Sequence, residues 1–172
     1  MDYPIIKYSE INPDSLKNFI SDLSLEYLEC ESIIKKQVQE FLPAYPNISI
    51  WYDKVIKEID KDPNRREMLI ALSRDNGSLS IIGLMILKNH DIEKKICTLR
   101  VKDAYQKKGI GSKLFEEAFK YLNTNKPLIT VPEESRDIFS KIFKKYEFQQ
   151  TEALLGLYRE GKYEYIYNGN FE

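Results

Sequence analysis

The sequence predicts an α/β (α+β) fold in which a mixed, mostly antiparallel central sheet is flanked by helices. Helical patterns fill the first 60 residues, and a three-strand antiparallel meander follows between residues 68 and 101. Residues 96–101, 110–122 and 128–131 then form strand, helix and strand. Such a β-α-β crossover makes its two strands parallel, so we expect one parallel pair in the sheet.

The chain of 172 residues is long enough for one domain with its own core. No linker, repeat or low-complexity segment divides it, and we expect a single domain over residues 1–172. The net charge is −1, so bulk charge offers no attraction for nucleic acid or an anionic membrane. The longest apolar run, residues 80–87, is far shorter than the roughly 20 residues of a membrane span, and no signal peptide is recognised.

The reactive side chains argue against a metal site. The two cysteines, Cys30 and Cys97, belong to no motif, which predicts reduced thiols and a cytoplasmic location. His90 is the single histidine of the chain and lies in a predicted hairpin turn. A zinc site or a histidine-based triad is therefore not expected.

The N-terminal elements are predicted as one short strand and three helices. "PIIKY" is the strand, and Asn12 with Pro13 predicts the cap and first position of a helix that continues to Tyr27. A second helix is predicted to begin after Ser32. "PAYP" ends it, and "WYDKVIKEI" forms a third. The faces predicted to be buried are Ile34, Val38 and Phe41 or Leu42 on the second helix, and Trp51, Val55 and Ile59 on the third.

The meander and the closing elements follow turn signals. Asn76-Gly77 is the strongest short hairpin signal, and residues 89–93 form the second turn. "KPLITV" is a short buried strand. The helix within residues 135–146 has Ile138, Phe139, Ile142 and Phe143 on one face. Residues 148–168 form a closing hairpin around Glu160-Gly161.

The segment "QKKGIGS", residues 106–112, precedes and opens the helix 110–122; we call it the glycine loop. A helix N-terminus carries about four amides without partners and about half a positive charge, and glycines let a ligand approach the backbone. Together with the two lysines these features predict a phosphate or pyrophosphate site. The alternative is a glycine-assisted turn with solvated lysines. A dinucleotide fingerprint lacks its third glycine, since Leu114 holds that position, and a Walker A loop lacks Gly-Lys-Ser/Thr.

The stretch "LRVKDAYQKKGIGSKLF" resembles the acetyl-CoA-binding motif of the GNAT superfamily (Gcn5-related N-acetyltransferases). In that motif an apolar strand leads through an aromatic residue into Gln/Arg-x-x-Gly-x-Gly/Ala at a helix start. Gln106, Gly109 and Gly111 hold the three key positions, and Tyr105 holds the aromatic one. The predicted order of elements also matches the family from about residue 5 to residue 168.

The resemblance implies acetyl-CoA as co-substrate, with no metal. It implies that backbone amides of the glycine loop bind the CoA pyrophosphate beside Gln106, and that the pantetheine arm lies along the preceding strand. The implied cofactor-binding residues are Leu99, Arg100, Val101, Gln106, Lys107, Lys108, Gly109, Ile110, Gly111 and Ser112. Lys107, Lys108 or Lys113 could in addition reach the ribose phosphate, although each could equally be only solvated.

The implied reaction is direct attack of an amine on the thioester, and the sequence departs from the family at the acid. The family's frequent Tyr-x-x-x-Gly-Phe reads "FKKYEF", so Phe143 replaces the tyrosine and Glu147 the glycine. Tyr146 is the nearest substitute as general acid, before the alternatives Ser140, Tyr158 and Tyr163. The candidates for the general base are Glu93 and Glu133, with Glu134 beside the latter. Thr130 and Glu133 also have capping-box spacing, which would give Glu133 a structural role instead.

The resemblance leaves the acceptor open. It implies an acetyl-CoA-dependent N-acetyltransferase acting on an amine of a small molecule or a protein, in a monomer or homodimer. The tyrosines of the closing hairpin, with Tyr45, Trp51 and Tyr52, could form an acceptor pocket or simply pack. Two alternatives remain: a regulatory protein of the same fold that binds acyl-CoA with little turnover, and an interaction protein without CoA.

Overall fold

The computed structural model describes residues 2–12, 27–41, 46–75 and 78–171. Several predictions from the sequence fall outside these ranges. They are the helix that follows Asn12, the Asn76-Gly77 turn, and the placement of Leu42 and Tyr45.

The described strands form one seven-stranded sheet in the order β1-β2-β3-β4-β5-β7-β6. All neighbours are antiparallel except β4 and β5, which are parallel as predicted. The strands are β1 (Ile5–Lys7), β2 (Arg66–Asp75), β3 (Ser78–Asn89), β4 (Lys94–Val101), β5 (Leu128–Pro132), β6 (Gln150–Leu155) and β7 (Tyr163–Tyr167).

Four described helices flank the sheet: α1 (Tyr27–Phe41), α2 (Ile48–Lys61), α3 (Ile110–Leu122) and α4 (Arg136–Lys145). The helices α3 and α4 share one hydrophobic cluster, and α1 and α2 share another on the opposite face of the sheet. Within the described ranges, no helix has the length and apolar character needed to cross a membrane.

The first cluster is centred on Phe115 of α3, which is fully buried. Its ring meets those of Phe143 and Phe148 with centroid separations of 6.4 and 5.9 Å. The predicted stripe of α3 is confirmed, since Ile110, Leu114, Ala118 and Leu122 are all buried. Burying a large apolar side chain stabilises a fold by about 1.5–3 kcal/mol, so this stripe fixes α3 firmly on the sheet.

Three details of the helices were predicted wrongly. The helix α1 begins at Tyr27 and runs through Ser32, because serine is tolerated inside a helix whose buried face is intact. On α2 the buried face consists of Tyr52, Val55 and Ile59, and Trp51 lies at its margin. On α4 only Phe139 and Phe143 are buried, while Ile138 is 50% exposed.

The parallel strands β4 and β5 pair over only two residues each. Lys95 faces Leu128 and Ile96 faces Ile129, and the pairing ends there. Beyond this point β4 continues to Val101 and β5 continues to Pro132, but the two strands no longer pair with each other. We call the space between these diverging ends the β4–β5 gap.

A β-bulge lies where the gap begins. The register between β3 and β4 shifts at Ile86 and Leu87, which pair with Thr98 and Ile96, so Cys97 has no partner on β3. A bulge bends its strand and increases the local twist. The bulge at Cys97 therefore gives a local reason for β4 to leave β5 immediately after Ile96.

Candidate active site

The glycine loop lies at the open end of the β4–β5 gap, because it follows the carboxyl end of β4 and leads into α3. Lys107 and Gly109 both adopt the left-handed backbone conformation, with φ of 61° and 82°. Such a φ suits glycine and strains other residues by about 1–2 kcal/mol. Gly109 is the N-cap of α3, and no side chain caps this helix end.

The first amide of the glycine loop, that of Gln106, donates to the carbonyl of Asp103 at 3.2 Å, whereas the amides after it are open to a ligand. Among the described residues, none of the six N–H groups from Lys107 to Ser112 donates to a backbone or side-chain oxygen; the first bond of α3 runs from Lys113 N to Gly109 O, at 3.1 Å. Unpartnered amides at a helix start form a preorganised anion site. A β-carbon at Gly109 would meet no atom within 4 Å, so the approach to this site is clear.

Gln106 fixes the loop to the end of β4. Its Nε2 atom donates to the carbonyl of Val101 at 3.2 Å and to Oδ1 of Asp103 at 3.0 Å. The glutamine of the motif therefore has a structural function in this chain, since it links the last residue of β4 to the turn before the loop.

Gly111 lies against α4. A β-carbon at this position would be 3.3 Å from Cδ1 of Ile142. The first turn of α3 thus packs directly on α4, which places α4 along one side of the anion site.

The three lysines of the region differ in their partners. Lys113 forms an ion pair with Asp2, and this contact lowers the pKa of Asp2. Lys108 lies over the Tyr105 ring, with Nζ 5.0 Å from the centroid. Lys107 makes no such contact among the described residues. A role in phosphate binding therefore stays a prediction for each of them.

The end of β4 presents its residues to both faces of the sheet. Leu99 and Val101 pack on the cluster beneath α3 and α4. Arg100 points to the other face, where its Nη1 donates to the carbonyl of Phe41, the last residue of α1, at 2.9 Å. All three lie beyond the last pair with β5, so they border the gap.

Glu133 lies at the open end of the gap, directly after β5. Its carboxylate accepts hydrogen bonds from Lys162 Nζ at 2.9 Å and from the amide of Tyr163 at 3.1 Å, and these bonds lower its pKa. The alternative capping box is wrong: Thr130 lies within β5, and Ser135 is the N-cap of α4 without a side-chain cap. Glu133 instead joins the end of β5 to the start of β7.

Glu93 lies at the opposite end of β4. It precedes Lys94, and about seven residues, roughly 23 Å of strand, separate Lys94 from Val101. Lys88 Nζ contacts the Glu93 carboxylate at 2.6 Å and lowers its pKa. The structure therefore does not bring Glu93 together with the glycine loop.

Tyr146 follows the last residue of α4 and leans across α3. Its hydroxyl lies 3.3 Å from Oε1 of Glu116, and its ring meets Phe119 edge-on at 4.8 Å. Phe143, which holds the family's tyrosine position, is buried with its ring 4.4 Å from that of Tyr167. The Tyr146 hydroxyl donates to the Glu116 carboxylate. The assignment of Tyr146 as the general acid stays a prediction.

A further carboxyl, not singled out by the sequence pattern, lies beside Glu133. Glu164 of β7 pairs with Pro132, the last residue of β5, and is 2% exposed. Burial raises its pKa to about 7, an effect that Arg159 opposes. Its signal in the sequence was an acidic residue inside the tyrosine-rich strand "YEYIY", a position where acidic residues are uncommon.

In the described part of the chain, no group of three or more His, Cys, Asp or Glu side chains is arranged so that it could hold a metal ion. The arrangement instead combines an anion site at a helix start, a gap between diverging strands, and carboxyl groups at the end of β5 and near the start of β7. Such a site can hold a phosphorylated ligand with an extended arm and place the end of that arm beside a proton acceptor.

Solved structures of low sequence identity share this fold. An acetyltransferase of the GNAT family from Desulfovibrio desulfuricans is 11% identical, with a TM-score of 0.59, and the alignment covers 96% of this chain and 97% of that one. Ard1 from Thermoplasma volcanium is 16% identical, with a TM-score of 0.59 and coverage of 97% and 96%. The NatC complex, solved with a Gag peptide and CoA, contains a chain that is 18% identical, with a TM-score of 0.58 and 97% coverage of both.

A search of curated protein sequences found no match. The sequence profile described as "Acetyltransferase (GNAT) domain" does match, over residues 34–155, which is more than half of the chain. This range includes β4, the glycine loop, α3 and β5, the elements that build the anion site and the gap. The chain belongs to the GNAT family of acetyltransferases and is an N-acetyltransferase.

Proposed function

We propose that this protein transfers the acetyl group of acetyl-CoA to a primary amine by direct attack on the thioester. The observation that carries the proposal is the row of amides from Lys107 to Ser112, which have no acceptor in the described part of the chain and lie at the open end of the β4–β5 gap. These amides would bind the CoA pyrophosphate, and the pantetheine arm would lie against Leu99, Arg100 and Val101. The NatC neighbour was solved with CoA, which agrees with this assignment.

In the reaction, the acceptor arrives as an ammonium and must first lose a proton. The free amine then attacks the thioester carbonyl, a C–N bond forms, and the C–S bond breaks. Catalysis comes from aligning the two reactants and from donors to the developing oxyanion. The nitrogen loses its second proton as the amide forms, and the leaving thiolate takes up a proton.

The acid and the base follow from the sequence as predictions. Glu133 and Glu93 are the predicted bases, and the position of Glu133 at the open end of the gap favours it over Glu93. Tyr146 is the predicted acid. The acceptor is an amine of a small molecule or a protein; because the NatC neighbour was solved with a Gag peptide, peptide amines belong among the first acceptors to test.

One observation favours a second function, an acyl-CoA-binding regulator with little turnover. Phe143 occupies the position of the family's tyrosine and is packed among four aromatic rings, and its own side chain carries no hydroxyl. The chemistry would then have to use another acid or water.

The test combines calorimetry with thiol release. Acetyl-CoA is titrated into the protein, and release of CoA is then followed with spermidine, 2-phenylethylamine and a tetrapeptide with a free α-amino group. Acetyl-CoA binding with amine-dependent thiol release supports the enzyme. Binding without release for every amine supports the regulator, and no binding contradicts both.

A further inference from the structure

Glu164 points to the face of the sheet opposite α3 and α4. Side chains alternate along a strand, and the neighbouring Tyr165 and Tyr167 pack on the cluster under α3 and α4. Glu164 therefore lies on the face that carries α1 and α2. Glu164 pairs with Pro132 of β5, so β7 is the strand next to β5. Because β5 borders the β4–β5 gap, Glu164 lies one strand away from the gap.

Charged residues of the closing hairpin and of the turn after β5 lie around it. Arg159 contacts Glu134 at 2.5 Å and lies 3.9 Å from Oε1 of Glu164, and Lys162 contacts Glu133 at 2.9 Å. We call these five residues the hairpin charge cluster. With every group charged, its three carboxylates exceed its two cations by one.

The excess negative charge falls on Glu164. Its Oε1 atom is buried, and among the described residues it accepts no hydrogen bond. Arg159, at 3.9 Å, is beyond hydrogen-bond distance and is shared with Glu134. A buried acceptor without a donor is costly, so this atom is suited to receive a donor from outside the chain.

We propose that the carboxylate of Glu164 binds the ammonium group of the acceptor and takes from it the proton that must leave before attack. This inference rests on the proposed acetyl transfer and assigns its acceptor site. It predicts an acceptor whose amine is cationic in solution and has no acidic group beside it, because Glu133 and Glu134 would repel one.

The electrostatic environment of Glu164 suits a proton acceptor better than the environment of Glu133 does. Burial raises the pKa of Glu164 to about 7; Arg159 lowers it, and Glu134 and Glu133 raise it. A base with a pKa near the working pH is the most effective proton acceptor. Glu133 has a lowered pKa because Lys162 and the Tyr163 amide already hold its carboxylate, so it is a weaker base.

The proton balance is complete without a further reactant. The ammonium gives one proton to Glu164, leaving a neutral amine and a carboxylic acid. The amine nitrogen attacks and loses its second proton, and after C–S cleavage the CoA thiolate takes up one proton, with Tyr146 as the predicted donor that is then reprotonated. Glu164 then returns its proton to water, so each turnover yields the amide, free CoA and one proton.

The test uses Glu164→Gln, which keeps the shape and removes the charge. Steady-state kinetics are measured with the three amines named above, between pH 5.5 and pH 9. Losing a hydrogen bond to a charged group corresponds to about a tenfold loss or more, so we expect KM for the amine to rise and kcat/KM to fall by that factor, with acetyl-CoA affinity unchanged. The acidic limb of the pH profile should vanish in this variant.

Three further variants separate this role from a structural one. Glu164→Asp keeps a carboxylate and should retain the acidic limb with reduced activity. Glu134→Gln removes the other carboxylate on Arg159 and leaves this cation to Glu164 alone, so it should raise KM for the amine. Glu67→Gln changes a buried carboxyl on β2, whose partners are Ser9 and the Met68 amide, and should keep the wild-type KM for the amine.

The outcomes distinguish this inference from the proposed function. Wild-type turnover with an unchanged amine KM and pH profile in Glu164→Gln overturns the role of Glu164 and leaves the acetyl transfer standing. A wild-type protein that does not bind acetyl-CoA, or binds it without releasing thiol to any amine, overturns the acetyl transfer, and the assigned acceptor site falls with it.

Discussion

Gly111 on α3 faces Ile142 on α4 so closely that a β-carbon on the glycine would lie 3.3 Å from the terminal Cδ1 of the isoleucine. This contact joins the first turn of α3, whose amides form the anion site, to the helix that follows β5. The second glycine of the motif therefore serves helix packing, whereas Gly109 serves the backbone turn. The two glycines should respond differently to substitution.

Replacing Gly111 by glutamate is expected to abolish detectable acetyl-CoA binding. The negative charge at the N-terminus of α3 competes with the pyrophosphate for the same amides, while it is favourable for the helix itself. Gly111→Ala is the matched control, since the end of Ile142 can move by a few tenths of an ångström, and it should retain binding. Calorimetry with acetyl-CoA and a thermal melt check both; equal affinity of a folded Gly111→Glu variant and the wild type would contradict the anion site.

Replacing Gly109 by alanine should cost about 1–2 kcal/mol of unfolding free energy, because its φ of 82° disfavours a β-carbon although the space around it is open. Gly109→Asn should cost less, since asparagine tolerates this conformation better. Urea unfolding measures the difference. Equal stability of all three proteins would mean that the left-handed turn is absent in solution.

Tyr146→Phe is expected to slow turnover about tenfold or more while acetyl-CoA affinity is kept, if this hydroxyl is the acid. The structure supplies the control, Glu116→Gln, which weakens the contact with the same hydroxyl without removing it. Steady-state kinetics of both variants decide the matter. Unchanged kcat in Tyr146→Phe would leave Tyr146 with a packing role on Phe119.

The contribution of Glu164 to the free energy of unfolding should decrease as pH rises from about 4.5 to about 7. Its pKa in the folded protein, about 7, is above the ordinary value of 4.5, so the folded state binds more protons than the unfolded state in this window. Glu164→Gln should remove this part of the slope and gain stability relative to wild type at pH 8. Urea unfolding at pH 5 and pH 8 tests this prediction. Glu67→Gln, which removes a different buried carboxyl, is measured in the same way for comparison. An identical difference between the two pH values in wild type and Glu164→Gln would contradict the raised pKa.

The local predictions succeeded where a periodic pattern and a turn signal agreed. The helix from Ile110 to Leu122 has the predicted bounds, because its stripe of apolar residues is strict and Gly109 precedes it. The start of α1 was missed, because Ser32 looks like a cap and only packing shows that the helix passes through it. The exposure of Ile138 likewise depends on how α4 lies on its neighbours, which its own periodicity does not specify.

The sequence by itself determined the order of the strands, the parallel pair and the glycine loop, because each depends on patterns that are local in the chain. Only the tertiary structure decided where the carboxyl groups lie. It separated Glu93 from the glycine loop along the length of β4, bound Tyr146 to Glu116 across α3, and buried Glu164 beside Arg159. Each of these depends on contacts between residues that are distant in sequence or on burial, and burial is what moves the pKa of Glu164 toward neutrality.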